Sequence, residues 1–211
     1  MLNREFNGLD EYEDFVSTTI ETWSPQQRIA LAAVTAERWL PAYESFSALE
    51  EWGDPAILRE ALQAVWSHLP GDSIKPKELR HYSRLVEENT PHLDDFDAEE
   101  AIAASAAILY ALACCKADDN VGDVVMSLVS GFEAVAPGIY TFAEEMSADV
   151  WELPEVQNEL ASQRKLIEKI STIREFDDSQ VEALRQQSTA PEVIGKVPPR
   201  SQTTSPSGIT N

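Results

Sequence analysis

Positive charge is in short supply in this sequence. Sixteen Lys and Arg residues face 37 Asp and Glu, a formal net charge of -21 over 211 residues. Such a surface repels DNA, RNA and anionic lipid, which disfavours nucleic-acid and membrane-surface roles. Cysteine is almost absent, with only the adjacent pair Cys114 and Cys115. Neighbours on a helix point about 100° apart, so these two cannot form an ordinary disulfide without distortion. There is no CxxC and no Cys/His cluster, so no zinc site is expected, and two thiols fit a reducing cytoplasm. Glycine is low at 8 residues and runs of β-branched residues are few, which leans away from a β fold. No stretch reaches the roughly 18 to 20 apolar residues of a membrane span, and MLNREFNGLDEYED has no apolar signal core. A cytoplasmic protein is therefore expected.

What is present is helical. The run Asp97 to Lys116, DAEEAIAASAAILYALACCK, holds no charge, glycine or proline between Ala101 and Cys115. Its small residues allow close helix approach, and Asp97 with Glu100 has the spacing of a capped start. It reads as a buried central helix.

The other segments follow helical periodicity. Leu2 to Glu21 carries Leu2, Phe6, Leu9, Tyr12, Phe15, Val16 and Ile20. Ser24-Pro25 is a start signal for QQRIALAAVTAERWL, which Pro41 is expected to kink or end before AYESFSALEEW continues. Trp52-Gly53-Asp54-Pro55 is a stop and a new start, and the next helix closes at Pro70-Gly71-Asp72. A shorter helix spans Lys75 to Asn89. Another runs from Val121 to Met146, interrupted at Pro137-Gly138. A last one opens at Pro154 and is expected to run on past Asp177-Asp178 towards Leu184. From Ser188 the composition turns to Pro, Ser, Thr and Gly, as expected of a disordered tail. The expected architecture is an all-α, single-domain bundle of about seven helices over residues 1–187, with a tail over 188–211.

Two groups of residues are candidate sites. Asp94, Asp95 and Asp97 lie in an acidic stretch from Glu87 to Glu100 that contains His92. Carboxylates in a loop can bind calcium or magnesium, but the spacing is not an EF-hand and helix-start electrostatics already explain the acids. Glu37 and Arg38 fall in the middle of an apolar helix, with Tyr43 beyond them. The guanidinium fork suits a carboxylate or phosphate, whereas an internal salt bridge is the ordinary explanation. His68, His81 and His92 follow no catalytic spacing. The five tryptophans, Trp23, Trp39, Trp52, Trp66 and Trp151, read as core and helix-junction packing. No catalytic residue, cofactor or metal is expected.

Four motifs in order resemble one family. They are Glu37-Arg38, Pro41, Tyr43 and Phe46; Trp52-Gly53-Asp54 with Leu58 and Trp66; Asp94-Asp95-Phe96-Asp97 before the Ala-rich helix; and Pro154, Val156, Glu159 and Gln163. The chain is similar in these to the bacterial DUF416 family over about Leu2 to Gln187. The resemblance implies a soluble all-α protein and brings no reaction, cofactor or catalytic residue. It also carries a suggested association with histidine-kinase signalling. Family members can have an acid partway along the central helix where this chain has Ala106.

These readings lead to a non-enzymatic interaction or regulatory protein, whose partner is another protein with a basic surface. The alternatives are a small-ligand-binding protein or enzyme with a site around Arg38, and a toxin-neutralising immunity protein.

Overall fold

The computed structural model describes Phe6 and residues 8–116, 120–137 and 148–188. Among these are eight α-helices, one short 3-10 helix and no strand: α1 (Leu9–Ile20), α2 (Pro25–Glu50), α3 (Pro55–His68), α4 (Pro76–Glu88), α5 (Glu99–Cys114), α6 (Val121–Val135), α7 (Pro154–Thr172) and α8 (Asp178–Ser188). The 3-10 turn, Ala148–Glu152, precedes α7.

The start and stop signals act as their chemistry requires. The Ser24 hydroxyl accepts from the Gln27 N–H, the Gln27 side chain accepts in return from the Ser24 N–H, and Pro25 takes the first helical position. Asp54 accepts from the Ala56 N–H at 2.9 Å and Pro55 opens α3. Between these helices the chain reverses through Glu51 and Gly53, both with positive φ.

The Ala-rich helix α5 is central but shares the position with α2. Every residue of α2 from Gln27 to Leu40 is buried, whereas Ile102, Ala106, Leu109, Tyr110 and Ala113 of α5 are only partly so. Alanines on both helices let their backbones approach, and the two form the most extensive helix pair of the fold. Around it α3, α6, α7 and α8 pack on α2, α4 covers α5, and α1 lies on α6. The buried apolar side chains make one contiguous cluster.

Several boundaries differ from expectation. Helix α1 begins at Leu9 because Gly8 is extended; residues 2–5 and 7 lie outside the described set. Pro41 neither ends nor splits α2, which runs 26 residues through it. A proline inside a helix costs ~3 kcal/mol, and the complete burial of Gln27 to Leu40 on the preceding turns of α2 offsets that cost. Asp97 is not a cap: α5 starts at Glu99, and Ala98 precedes it with no side-chain cap. The expected last helix is two, because the chain turns extended at Ile173 before α8; this makes eight helices among the described residues where about seven are expected. Helix α6 ends at Val135, and residues 138–147 of the expected continuation lie outside the described set. So does the expected tail, apart from Ser188, which is buried at the end of α8 with its hydroxyl donating to the Leu184 and Arg185 carbonyls.

Candidate functional site

Glu37 and Arg38 are consecutive on α2, so their side chains leave the helix about 100° apart and meet different neighbours. Arg38 faces α7. Its two terminal nitrogens donate to the two carboxylate oxygens of Glu159 at 2.9 and 2.5 Å, and the residues are 3% and 4% exposed. This is the parallel fork geometry that makes an arginine–carboxylate pair strong once both charges have left water.

Gln163 lies one helical turn beyond Glu159. It donates to Glu159 Oε1 at 2.6 Å and to the Leu128 carbonyl of α6 at 2.9 Å. Its own oxygen accepts from the Tyr12 hydroxyl of α1. One chain of buried polar groups therefore joins α1, α2, α6 and α7. Burial first, and then the Glu159 charge, hold the Tyr12 phenol well above its ordinary pKa. Gly131 on α6 leaves room for the cluster. A Cβ there would sit 2.5 Å from Glu159 Oε1, 2.9 Å from Gln163 Nε2 and 3.0 Å from Trp39 Nε1.

Glu37 faces the other way. It accepts from the Trp66 indole N–H at 2.7 Å. Arg185 of α8 brings its Nε to 3.8 Å from the same carboxylate, stacks over the Trp66 ring, and donates to Gln63 Oε1 at 2.8 Å. This second cluster fastens α8 to α2 and α3.

Tyr43 closes a third. Its hydroxyl donates to the Asn89 carbonyl at 2.6 Å, and the Asn89 side chain accepts from the Asp54 N–H at 3.0 Å. Burial and the nearby Asp54 carboxylate push the Tyr43 phenol up to about 12. Gly53 has φ +73, and a Cβ there would run into the Tyr43 hydroxyl, so the turn requires glycine on both counts.

Asp94, Asp95 and Asp97 join none of these clusters. They are exposed on the loop between α4 and α5. That loop is anchored by Phe96, whose ring lies 5.4 Å from both Phe46 and Trp52. The structure thus keeps Arg38, closed on Glu159, apart from these exposed aspartates. Among the described residues, no group of three or more His, Cys, Asp or Glu side chains is placed to hold a metal ion. Cys114 is buried and Cys115 partly so. Burial pushes both thiols up, Cys115 to about 12. A cleft of about 490 Å³ opens where α7 passes into α8, lined by Lys169, Thr172, Ile173, Arg174, Glu175, Asp177 and Gln180.

Glu159 and Gln163 complete the Arg38 cluster without having been site candidates, although both belong to the fourth motif. Their signal was available in the sequence. They fall among Val156, Leu160 and Ile167 on the buried face of α7, where a polar side chain requires an internal partner.

Geometrically this is a helical bundle in which the motif residues Glu37, Arg38, Tyr43, Glu159 and Gln163 close on partners inside the molecule. The chain belongs to the DUF416 family, described as a protein of unknown function, whose model matches residues 16–194. It is similar to the crystal structure of a DUF416 family protein from Shewanella baltica OS155. The two are 25% identical, with a TM-score of 0.70 over 82% of this chain and 92% of that one. No curated protein matches the chain. No described helix is long and apolar enough to cross a membrane.

Proposed function

We propose that this chain is a non-catalytic interaction module of the cytoplasm that binds a protein with a basic face. The observation that carries this reading is the fate of Arg38. The side chain best suited to clamp a ligand is buried and held at both terminal nitrogens by Glu159 of the same chain. Tyr43 is likewise engaged with Asn89, and Glu37 with Trp66 and Arg185. These motif residues serve helix-to-helix fastening, which leaves the outer surface to meet other molecules. That surface belongs to a chain of net charge -21. Charge of one sign speeds encounter with a partner of the opposite sign and is screened by salt. The suggested family link with histidine-kinase signalling belongs to the same proposal, since such a partner would have to present basic residues.

Native mass spectrometry of the chain drawn gently from its own host tests the reading. A stoichiometric second protein supports it. The bare chain carrying a small molecule would instead favour the ligand-binding alternative. The cleft beside Lys169 and Arg174 offers space for such a molecule.

A further inference from the structure

Three large apolar side chains stand out as exposed among the described residues: Leu49 at 66%, Leu93 at 61% and Leu153 at 42%. Two of them belong to one region. Leu49 is in the last turn of α2, and Leu93 opens the turn that leads to Phe96. The two segments are fastened to each other. Phe46 and Trp52 hold Phe96 between them, the Tyr43 hydroxyl reaches the Asn89 carbonyl, and the Asp54 N–H reaches the Asn89 side chain. The leucines therefore sit on two segments that an aromatic cluster holds together, three positions from Phe46 and from Phe96 in sequence.

The two segments that carry the leucines bear charge of one sign. Residues 44–58 contain four acids and residues 85–115 contain seven, with no Lys or Arg in either segment. Glu50, Glu51, Asp54, Asp94, Asp95 and Asp97 of this set are exposed. Nearby bases are already engaged in part, Arg59 with Glu44 and Arg84 with Glu88. Apolar side chains held out in water within an acidic rim suit a partner surface of inverse pattern.

We propose that Leu49 and Leu93, on the two segments joined by the Phe46–Trp52–Phe96 cluster, form the docking surface, and that its occupant is an amphipathic basic segment of a partner protein. Its apolar side chains would cover the leucines while its Lys and Arg meet the acidic rim. A second copy of this chain is disfavoured as occupant, because two such rims would repel each other. The proposal rests on the interaction reading and sharpens it to one face.

A fluorescent peptide serves as probe, short and helical, with two leucines one turn apart among lysines and arginines. A scrambled peptide of the same composition is the control, and anisotropy is read with the full-length chain. The expected result is binding that favours the ordered peptide and weakens as salt rises from about 50 to about 300 mM. The double variant Leu49→Ser/Leu93→Ser should lose about tenfold in affinity or more. Asp94→Asn/Asp95→Asn should bind less tightly at low salt and with a shallower salt dependence. Leu153→Ser should match the unaltered chain. Circular dichroism confirms that each variant keeps its helices.

Equal binding of the scrambled peptide, or an unmoved affinity in Leu49→Ser/Leu93→Ser, overturns the proposal. So does a dimer that this double variant dissolves, because the occupant is then a second copy. So does tighter peptide binding by Lys196→Glu/Arg200→Glu, because the chain's own end is then the occupant. A natural partner that still binds Leu49→Ser/Leu93→Ser sinks this surface and leaves the interaction reading standing. Absence of any partner in native mass spectrometry sinks that reading itself.

Discussion

Arg38 and Glu159 are 121 positions apart in sequence and meet through two parallel hydrogen bonds of 2.9 and 2.5 Å, out of contact with water. Removing either partner strands a buried charge. Arg38→Met or Glu159→Leu alone should each lower the unfolding free energy by about 3–5 kcal/mol. The double variant, with neither charge left, should recover a large part of that loss. Urea denaturation of the three variants, treated as a double-mutant cycle, measures the coupling.

Gly131 is the most demanding position beside that pair. Its added methyl would press on Glu159, Gln163 and Trp39 together. Gly131→Ala should therefore destabilise by about 1–3 kcal/mol although alanine is the better helix former. Gly122 is on the same helix with no atom near the corresponding methyl position. Gly122→Ala should be neutral or mildly stabilising, which separates contact from helix propensity. Thermal melts of the two variants make the comparison.

The Tyr43–Gly53 contact predicts non-additivity. Tyr43→Phe should cost about 0.5–1.5 kcal/mol for the lost bond to the Asn89 carbonyl. Gly53→Ala should cost more, from its positive φ and from collision with the hydroxyl. In the Tyr43→Phe background the same alanine should cost less, because the colliding atom is gone. Equal costs in both backgrounds would mean that backbone conformation alone accounts for the glycine.

Two pH effects follow from burial. The Tyr43 phenol is raised to about 12 and the Tyr12 phenol is raised as well, so the folded state holds both protons more tightly than the unfolded chain does. Their contribution to stability is complete below about pH 10, the ordinary phenol value; the Tyr43 part is lost as pH rises through about 12, and the Tyr12 part as pH rises through its own raised value. Alkaline unfolding followed by circular dichroism should therefore begin above pH 10, with tyrosine ionisation following the loss of structure. Cys115 is also raised to about 12 by burial, and Cys114 is raised too. A disulfide reagent at pH 8 should modify both slowly in the native chain and fast in denaturant. Fast reaction of the folded chain would contradict the buried placement of α5's end.

The helical class was legible because its signals are local. Ser24-Pro25 and Asp54-Pro55 start helices wherever they occur, and apolar spacing marks buried faces. Local signals fail at Pro41 as a stop and at Asp97 as a cap: packing carries α2 through the proline, and α5 starts without the aspartate. Candidate residues were legible as types and not as partners. Arg38 in an apolar helix announces that some acid must meet it, yet nothing local names Glu159. The pairing depends on α7 crossing α2, which arises only from the packing of the whole bundle. The loop aspartates show the converse case, where a conspicuous cluster of acids proves to be exposed and anchored by an apolar residue, Phe96, in its midst.

The central claim is that Glu37, Arg38, Tyr43, Glu159 and Gln163 fasten the interior of this chain and that its work is done by contact with a basic partner. Native mass spectrometry of the chain isolated from its own host, repeated with rising salt, tests this most directly. The account predicts a stoichiometric second protein whose occupancy falls as salt screens the charge. A chain that arrives alone with a small molecule bound, or a partner indifferent to salt, would contradict it.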